Sequence, residues 1–124
     1  MELTHSIYRG QVFHIEAIVL DNRSAPAEEW LDSLSPKQQQ KFAALFKWLA
    51  DAGKIWNERK FKHLEGSAQI FEFKVDDGRV LCFFFVGQRV ILTHGFSKKS
   101  AKTPKGEVER AERYKNEFVT RTKK

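Results

Sequence analysis

The spacing of apolar positions changes period several times along the chain, and each change predicts an element. Residues 12–20 place Val12, Phe13, Ile15, Ile18 and Val19 in partial alternation, which predicts a strand. The polar residues 21–24 then break it. From Pro26 the period lengthens: Ala27, Trp30, Leu31 and Leu34 recur at helical spacing. Ser35, Pro36 and Gln38 form a capping pattern ahead of a second stripe, Phe42, Leu45, Phe46 and Leu49, which Gly53 ends. Two such helices predict an antiparallel hairpin. Beyond Ala68 the strand period returns, with strands over 69–75, 79–86 and 89–95 and turns at 76–78 and 87–88. A basic loop over 97–102 precedes a last helix that opens at Thr103 and Pro104 and carries Val108, Ala111, Tyr114 and Phe118 on one stripe. Residues 121–124 are expected to fray. The predicted order is β-α-α-β-β-β-α, an α+β domain with a mostly antiparallel sheet.

Alternation also assigns side chains to sheet faces. With two-residue turns at 77–78 and 87–88, Glu72, Lys74, Arg79 and His94 fall on one face, mixed with Leu81, Phe83, Phe85, Val90 and Leu92. The opposite face carries Phe71, Phe73, Val75, Val80, Cys82, Phe84, Val86 and Ile91 and is the expected core. The mixed face is expected to lie partly under the last helix, leaving an open basic floor. A one-residue slip at either turn would move these side chains to the other face.

Length and charge sharpen the picture. The chain has 124 residues, 41% of them hydrophobic and 11 of them Phe, enough for one core and one domain spanning 1–124. Residues 1–52 hold 5 Lys/Arg against 7 Asp/Glu, whereas residues 53–124 hold 17 against 9. The excess of positive charge therefore resides in the C-terminal half, and it points to a polyanionic partner, nucleic acid before membrane surface. Cys82 is the single cysteine and sits in an apolar run, so neither an internal disulfide nor a cysteine zinc site is available, and a reducing intracellular setting is expected. No secretory pattern is read at the N-terminus, and the run from Val80 to Val86 is too short to cross a bilayer as a helix.

A basic floor suits cleavage of RNA without a metal. The ribose 2′-hydroxyl loses a proton and attacks the adjacent phosphate, charge builds on the phosphate oxygens, and the leaving oxygen needs a proton. Lys and Arg stabilise that charge. Arg79, with its planar fork, is the first candidate for the phosphate, and Lys74 is its expected neighbour. Glu72 and His94 are candidate acid/base groups. His5, His14, His63 and His94 lack partners at metal-site spacing and no Gly-rich phosphate loop is present, so no metal or cofactor is expected.

The strings QIFEFKV (69–75), GRVLCFFF (78–85), VILTHGFSKK (90–99) and KTPKGEVERA (102–111) together resemble the RelE/HigB toxin superfamily, most nearly its phage-derived HigB-like branch, over about residues 60–118. The resemblance implies the RelE-like β-α-α-β-β-β-α fold, a cytoplasmic toxin of a toxin–antitoxin pair, and cleavage of mRNA on the ribosome. It also implies neutralisation by a cognate antitoxin, often a helix-turn-helix protein, with no membrane partner. Carried onto this chain, Arg79 matches the family's arginine after the first turn. Glu72 and Lys74 match a Glu-Leu-Arg motif with Lys in place of Arg. His94, Phe96, Lys98, Lys99, Lys102, Thr103 and Pro104 match the last motif, and Lys60 and Lys62 precede a Leu-x-x-Gly-like segment where relatives carry basic residues. Lys60, Lys62, Lys98, Lys99 and Lys102 are thus the expected RNA-binding set. Cys82 stands where Tyr is usual, and the C-terminal Tyr or His of some relatives has no secure counterpart. These departures favour the alternative, a non-catalytic RNA- or protein-binding module on the same fold.

Overall fold

The computed structural model describes residues 2–100 and 102–123. Its elements run β1 (Thr4–Arg9), β2 (His14–Ile18), α1 (Pro26–Asp32), α2 (Pro36–Ala52), β3 (Phe61–His63), β4 (Phe71–Val75), β5 (Gly78–Phe85), β6 (Arg89–Ser97) and α3 (Lys105–Thr122). They build an α+β fold in which one six-stranded sheet, ordered β1-β2-β6-β5-β4-β3, is antiparallel except where β2 runs parallel to β6. All seven expected elements are present. Two further strands occupy the sheet edges, β1 at one and the three-residue β3 at the other. Neither carries a clean period: β1 bulges between Ser6 and Tyr8, breaking its alternation, and β3 is too short for a pattern.

The helix ends follow from local chemistry. Ser35 Oγ accepts from the Gln38 amide at 3.3 Å, and Pro36 needs no amide partner at the first turn. At the other end Gly53 takes φ 83° and returns its amide to the Leu49 carbonyl, closing α2 in a left-handed cap. Helix α3 extends through Thr122, further than expected, because Arg121 pairs with Asp21 at 3.1 Å and donates to the Val19 carbonyl at 2.8 Å. Residues 121 and 122 are therefore docked rather than frayed, and residue 124 lies outside the described residues.

Each sheet face has its own apolar cluster. Helices α1 and α2 cover Ile15, Phe73, Val75, Val80, Cys82, Val90 and Leu92 with Phe42, Leu45, Phe46 and Leu49. Helix α3 covers Ile18, Leu81, Phe83 and Ile91 with Ala111 and Phe118. The β5–β6 turn corrects the expected faces. Phe85 pairs with Arg89, so the loop is the three residues 86–88, with Gly87 and Gln88 at positive φ. The extra residue sends Val90 and Leu92 to the α1–α2 face and Ile91 to the α3 face, and leaves Val86 78% exposed. A bulge then reverses the effect: Leu81 pairs with His94 but Cys82 with Leu92, leaving Thr93 as the extra residue and returning His94 to the α3 face.

Helix α1 meets the sheet at Trp30, whose ring lies over the backbone of Gly95 and Gly78. A Cβ built on Gly95 would lie 2.3 Å from the Trp30 ring, and Trp30 also packs edge-on against Phe42. The indole rests on bare backbone. Gly95→Ala is therefore expected to destabilise the protein by about 1–3 kcal/mol through overpacking, lowering Tm by roughly 5–10 °C. Calorimetry of the variant checks this, and an unchanged Tm would mean that α1 is free to lift.

Candidate functional site

The turn between β4 and β5 positions the site. Val75 pairs with Gly78, so the two-residue turn is 76–77, with Asp76 at φ 53°, and Lys74 lies directly across from Arg79. This is two residues from the expected register, and an even shift keeps every side chain on its face. Lys74, Arg79 and Glu72 all project to the α3 face, as does Lys62, which pairs with Glu72 from β3. Strand β6 adds the last member. Gly78 pairs with Ser97, and the Lys98 amide bonds the Asp77 carbonyl at 2.9 Å, which seats Lys98 beside Arg79.

Glu72 is the hub of this cluster. It is 1% exposed, and Thr103 Oγ1 donates to its Oε1. Arg79 Nε lies 3.8 Å from the same oxygen. Lys98 Nζ reaches Thr103 Oγ1 at 3.4 Å, which ties Thr103, just ahead of α3, to the end of β6. Arg79 is clamped from the other side, because its Nη1 donates to the carbonyls of Asp76 at 2.7 Å and Gly78 at 2.9 Å. The guanidinium is thus aimed before any ligand arrives. Lys74 and Lys98 both have their pKa pulled down, in each case first by burial; Lys62 then adds to the effect at Lys74, and Arg79 and Lys74 add to it at Lys98, partly offset by Glu72. Lysines whose ammonium is disfavoured are better able to take up and release a proton.

His94 occupies a different environment. It is 1% exposed beneath α3, with Nε2 3.0 Å from Glu107 and Nδ1 3.1 Å from Thr93 Oγ1. Phe96 stacks on its ring and Tyr114 meets it edge-on. Burial, reinforced by the Arg110 charge, pushes its pKa down to about 4, so it is neutral at physiological pH. The structure gives His94 the part of a strut between β6 and α3, where sequence reasoning had placed a proton carrier. Glu72 is likewise sealed in, as the anion that holds the cations.

The expected RNA-binding lysines divide. Lys62 and Lys98 join the cluster, with Lys62 partly buried and Lys98 buried. Lys99 and Lys102 are exposed on the 97–102 loop, in which residue 101 lies outside the described residues. Lys102 and Thr103 line a pocket of about 340 Å³ together with Lys62. Lys60 lies in a second groove of about 550 Å³ that also includes Lys41, Arg59, Lys74 and Trp48. Sequence reasoning missed Glu107, Trp48 and the bridging role of Thr103. Of these only Trp48 left a signal, since it stands beside the apolar stripe of its helix and not on it.

The α+β fold, a mostly antiparallel sheet with a helical hairpin and a C-terminal helix, is the one expected of the RelE/ParE-like toxins. The family described as Phage derived protein Gp49-like, a member of that group, matches residues 29–116, and the chain belongs to it. No curated protein matches the chain. Among the described residues, no helix is long and apolar enough to cross a membrane.

The strut makes acid sensitivity a testable property. Above pH 6.5 His94 is neutral in both the folded and unfolded chain. Between pH 6.5 and about 4 the unfolded chain binds a proton that the folded one refuses, so stability falls as pH drops through that window and levels off below it. The contribution is at most about 1.4 kcal/mol per pH unit. His94→Gln, which keeps a donor toward Glu107, is expected to flatten this slope in urea melts at pH 4–7. An equally steep slope in the variant would assign the acid sensitivity to other groups.

Proposed function

We propose that the chain is the toxin of a toxin–antitoxin pair, related to the HigB-like branch, and that residues 1–124 act as one cytoplasmic endoribonuclease domain cleaving mRNA on the ribosome. The observation that carries this reading is the cross-strand pair Lys74 and Arg79, gathered with Lys98 around buried Glu72 on the sheet face that α3 leaves partly uncovered. Arg79 grips the scissile phosphate and opposes the charge that builds on its oxygens. A neighbouring lysine takes the proton of the ribose 2′-hydroxyl. The O2′–P bond forms and the P–O5′ bond breaks, and a second lysine gives a proton to the departing 5′ oxygen. The products are a 2′,3′-cyclic phosphate and a 5′-hydroxyl. Lys74 and Lys98 suit the two proton steps because burial has already weakened their hold on the proton. Lys62, Lys99 and Lys102 extend the positive surface along the strand, and a cognate antitoxin, expected to be a helix-turn-helix protein, covers it.

A second reading, a binding module without cleavage, is favoured by one specific observation: neither Glu72 nor His94 is more than 1% exposed, so neither offers a proton-transfer atom to a substrate. The two readings separate in one experiment. Induced expression of the wild type is expected to arrest growth and shorten cellular mRNAs. Arg79→Ala is expected to lower the cleavage rate by about 10²–10³-fold and to relieve the arrest, with Arg79→Lys between the two. Unimpaired growth with full-length mRNA under wild-type expression would reject the nuclease. Salt-sensitive ribosome or RNA binding without cut ends would support the binding module.

A further inference from the structure

The groove that contains Lys60 and Lys74 is unlike the phosphate cluster it adjoins. Helix α2 contributes Lys41, Ala44, Leu45 and Trp48 to it, the face spaced i, i+3, i+4 and i+7. The opposite wall is formed by Asn57, Arg59 and Lys60, by Lys74 and Val75 at the end of β4, and by Asp76 in the turn that follows. Four cations therefore meet one acid, and that acid, Asp76, is paired with Lys41 at 3.3 Å. Trp48 stands in this basic wall 43% exposed, although its helix buries Phe42, Leu45, Phe46, Leu49 and Ala50 without it. Core packing does not account for an indole at that position.

We propose that Trp48 is a stacking platform for an unpaired base of single-stranded RNA, next to the nucleotide whose phosphate is held at Arg79. The inference rests on the RNA-directed reading above and adds the residue that holds the base. Lys74 links the two places, since it lines the groove and also lies across from Arg79. A strand that sets one phosphate on Arg79 and Lys74 can carry its next base over the β4 end onto the indole, with Lys60 and Arg59 beside the following phosphate. Base–aromatic stacking tolerates any base, because each has a π face. Trp48 therefore adds affinity with little sequence preference. Trp56, 79% exposed, lies in a separate groove with Lys54 3.9 Å over its ring and does not border Lys74.

The test uses the full chain and two fluorescent eight-nucleotide RNAs with 2′-O-methyl riboses, which cannot be cleaved. One carries bases and the other is abasic with the same phosphates. In anisotropy titrations the wild type is expected to bind the base-bearing RNA roughly 5- to 150-fold tighter. Trp48→Ala is expected to bring that ratio to one, and Trp48→Phe to keep part of it. Trp56→Ala should keep the ratio, and Arg79→Ala should keep it while weakening both RNAs together. If the wild type binds both RNAs equally, or Trp48→Ala retains the ratio, stacking at Trp48 is overturned while the phosphate site stands. Loss of the ratio in Trp56→Ala would place the base in the other groove and overturn the assignment. If the wild type binds neither RNA, this inference falls, while the ribosome-dependent nuclease is judged by growth and mRNA length under induced expression.

Discussion

A carboxylate sealed inside a sheet face must be surrounded by donors and cations, because removing its charge from water costs several kcal/mol that only close partners offset. Glu72 imposes that requirement here. Arg79 from β5 and Thr103 from just ahead of α3 answer it, and Lys98 joins them through Thr103. The cations at the border of the α3 face are therefore a requirement of stability, whatever chemistry they also serve. The same contacts pin Lys98 and Thr103 to the sheet, just ahead of the start of α3.

The two faces of the sheet divide the labour. The α1–α2 face is a conventional apolar core in which Phe42, Phe46, Phe61 and Phe73 meet ring to ring. The α3 face mixes apolar residues with charged ones and places the charged ones toward β3, β4 and the turn ends. A second buried anion shows the same logic at the other end of the sheet. Glu16, 4% exposed, accepts two hydrogen bonds from Arg89, at 2.7 and 2.9 Å, and one from Thr4 at 2.6 Å. That arrangement fastens β1, β2 and β6 to one another. There one cation is consumed in fastening strands, whereas Glu72 is approached by Arg79 and, through Thr103, by Lys98.

Much of this was legible in the sequence because period-2 and period-3.6 patterns are strong in the central elements. The capping residues Ser35 and Gly53 fixed α2, and the alternation of 71–75 put Glu72 and Lys74 on one face whichever even register the turn adopted. What was not legible depends on backbone detail. The three-residue loop at 86–88 and the bulge at Thr93 each reverse the faces, and no residue type announces either. Both edge strands escaped notice because one is bulged and the other spans three residues. The depth of Glu72 and His94 could not be read either, since burial of a polar residue depends on which helix crosses over it. The alternation placed Glu72, Lys74 and Arg79 on one face, where the structure has them; it did not reveal which of these side chains are sealed in and which reach solvent.

The crowding of Lys62, Lys74, Arg79 and Lys98 has a thermodynamic consequence. Like charges set this close repel, and the neighbouring cations help to lower the pKa of Lys74 and Lys98. A polyanion that enters the cluster relaxes that repulsion, so binding and folding draw on a single equilibrium. On the function proposed above, the fold would tighten around a bound phosphate, and the protein would be more robust with its polyanion in place than without it.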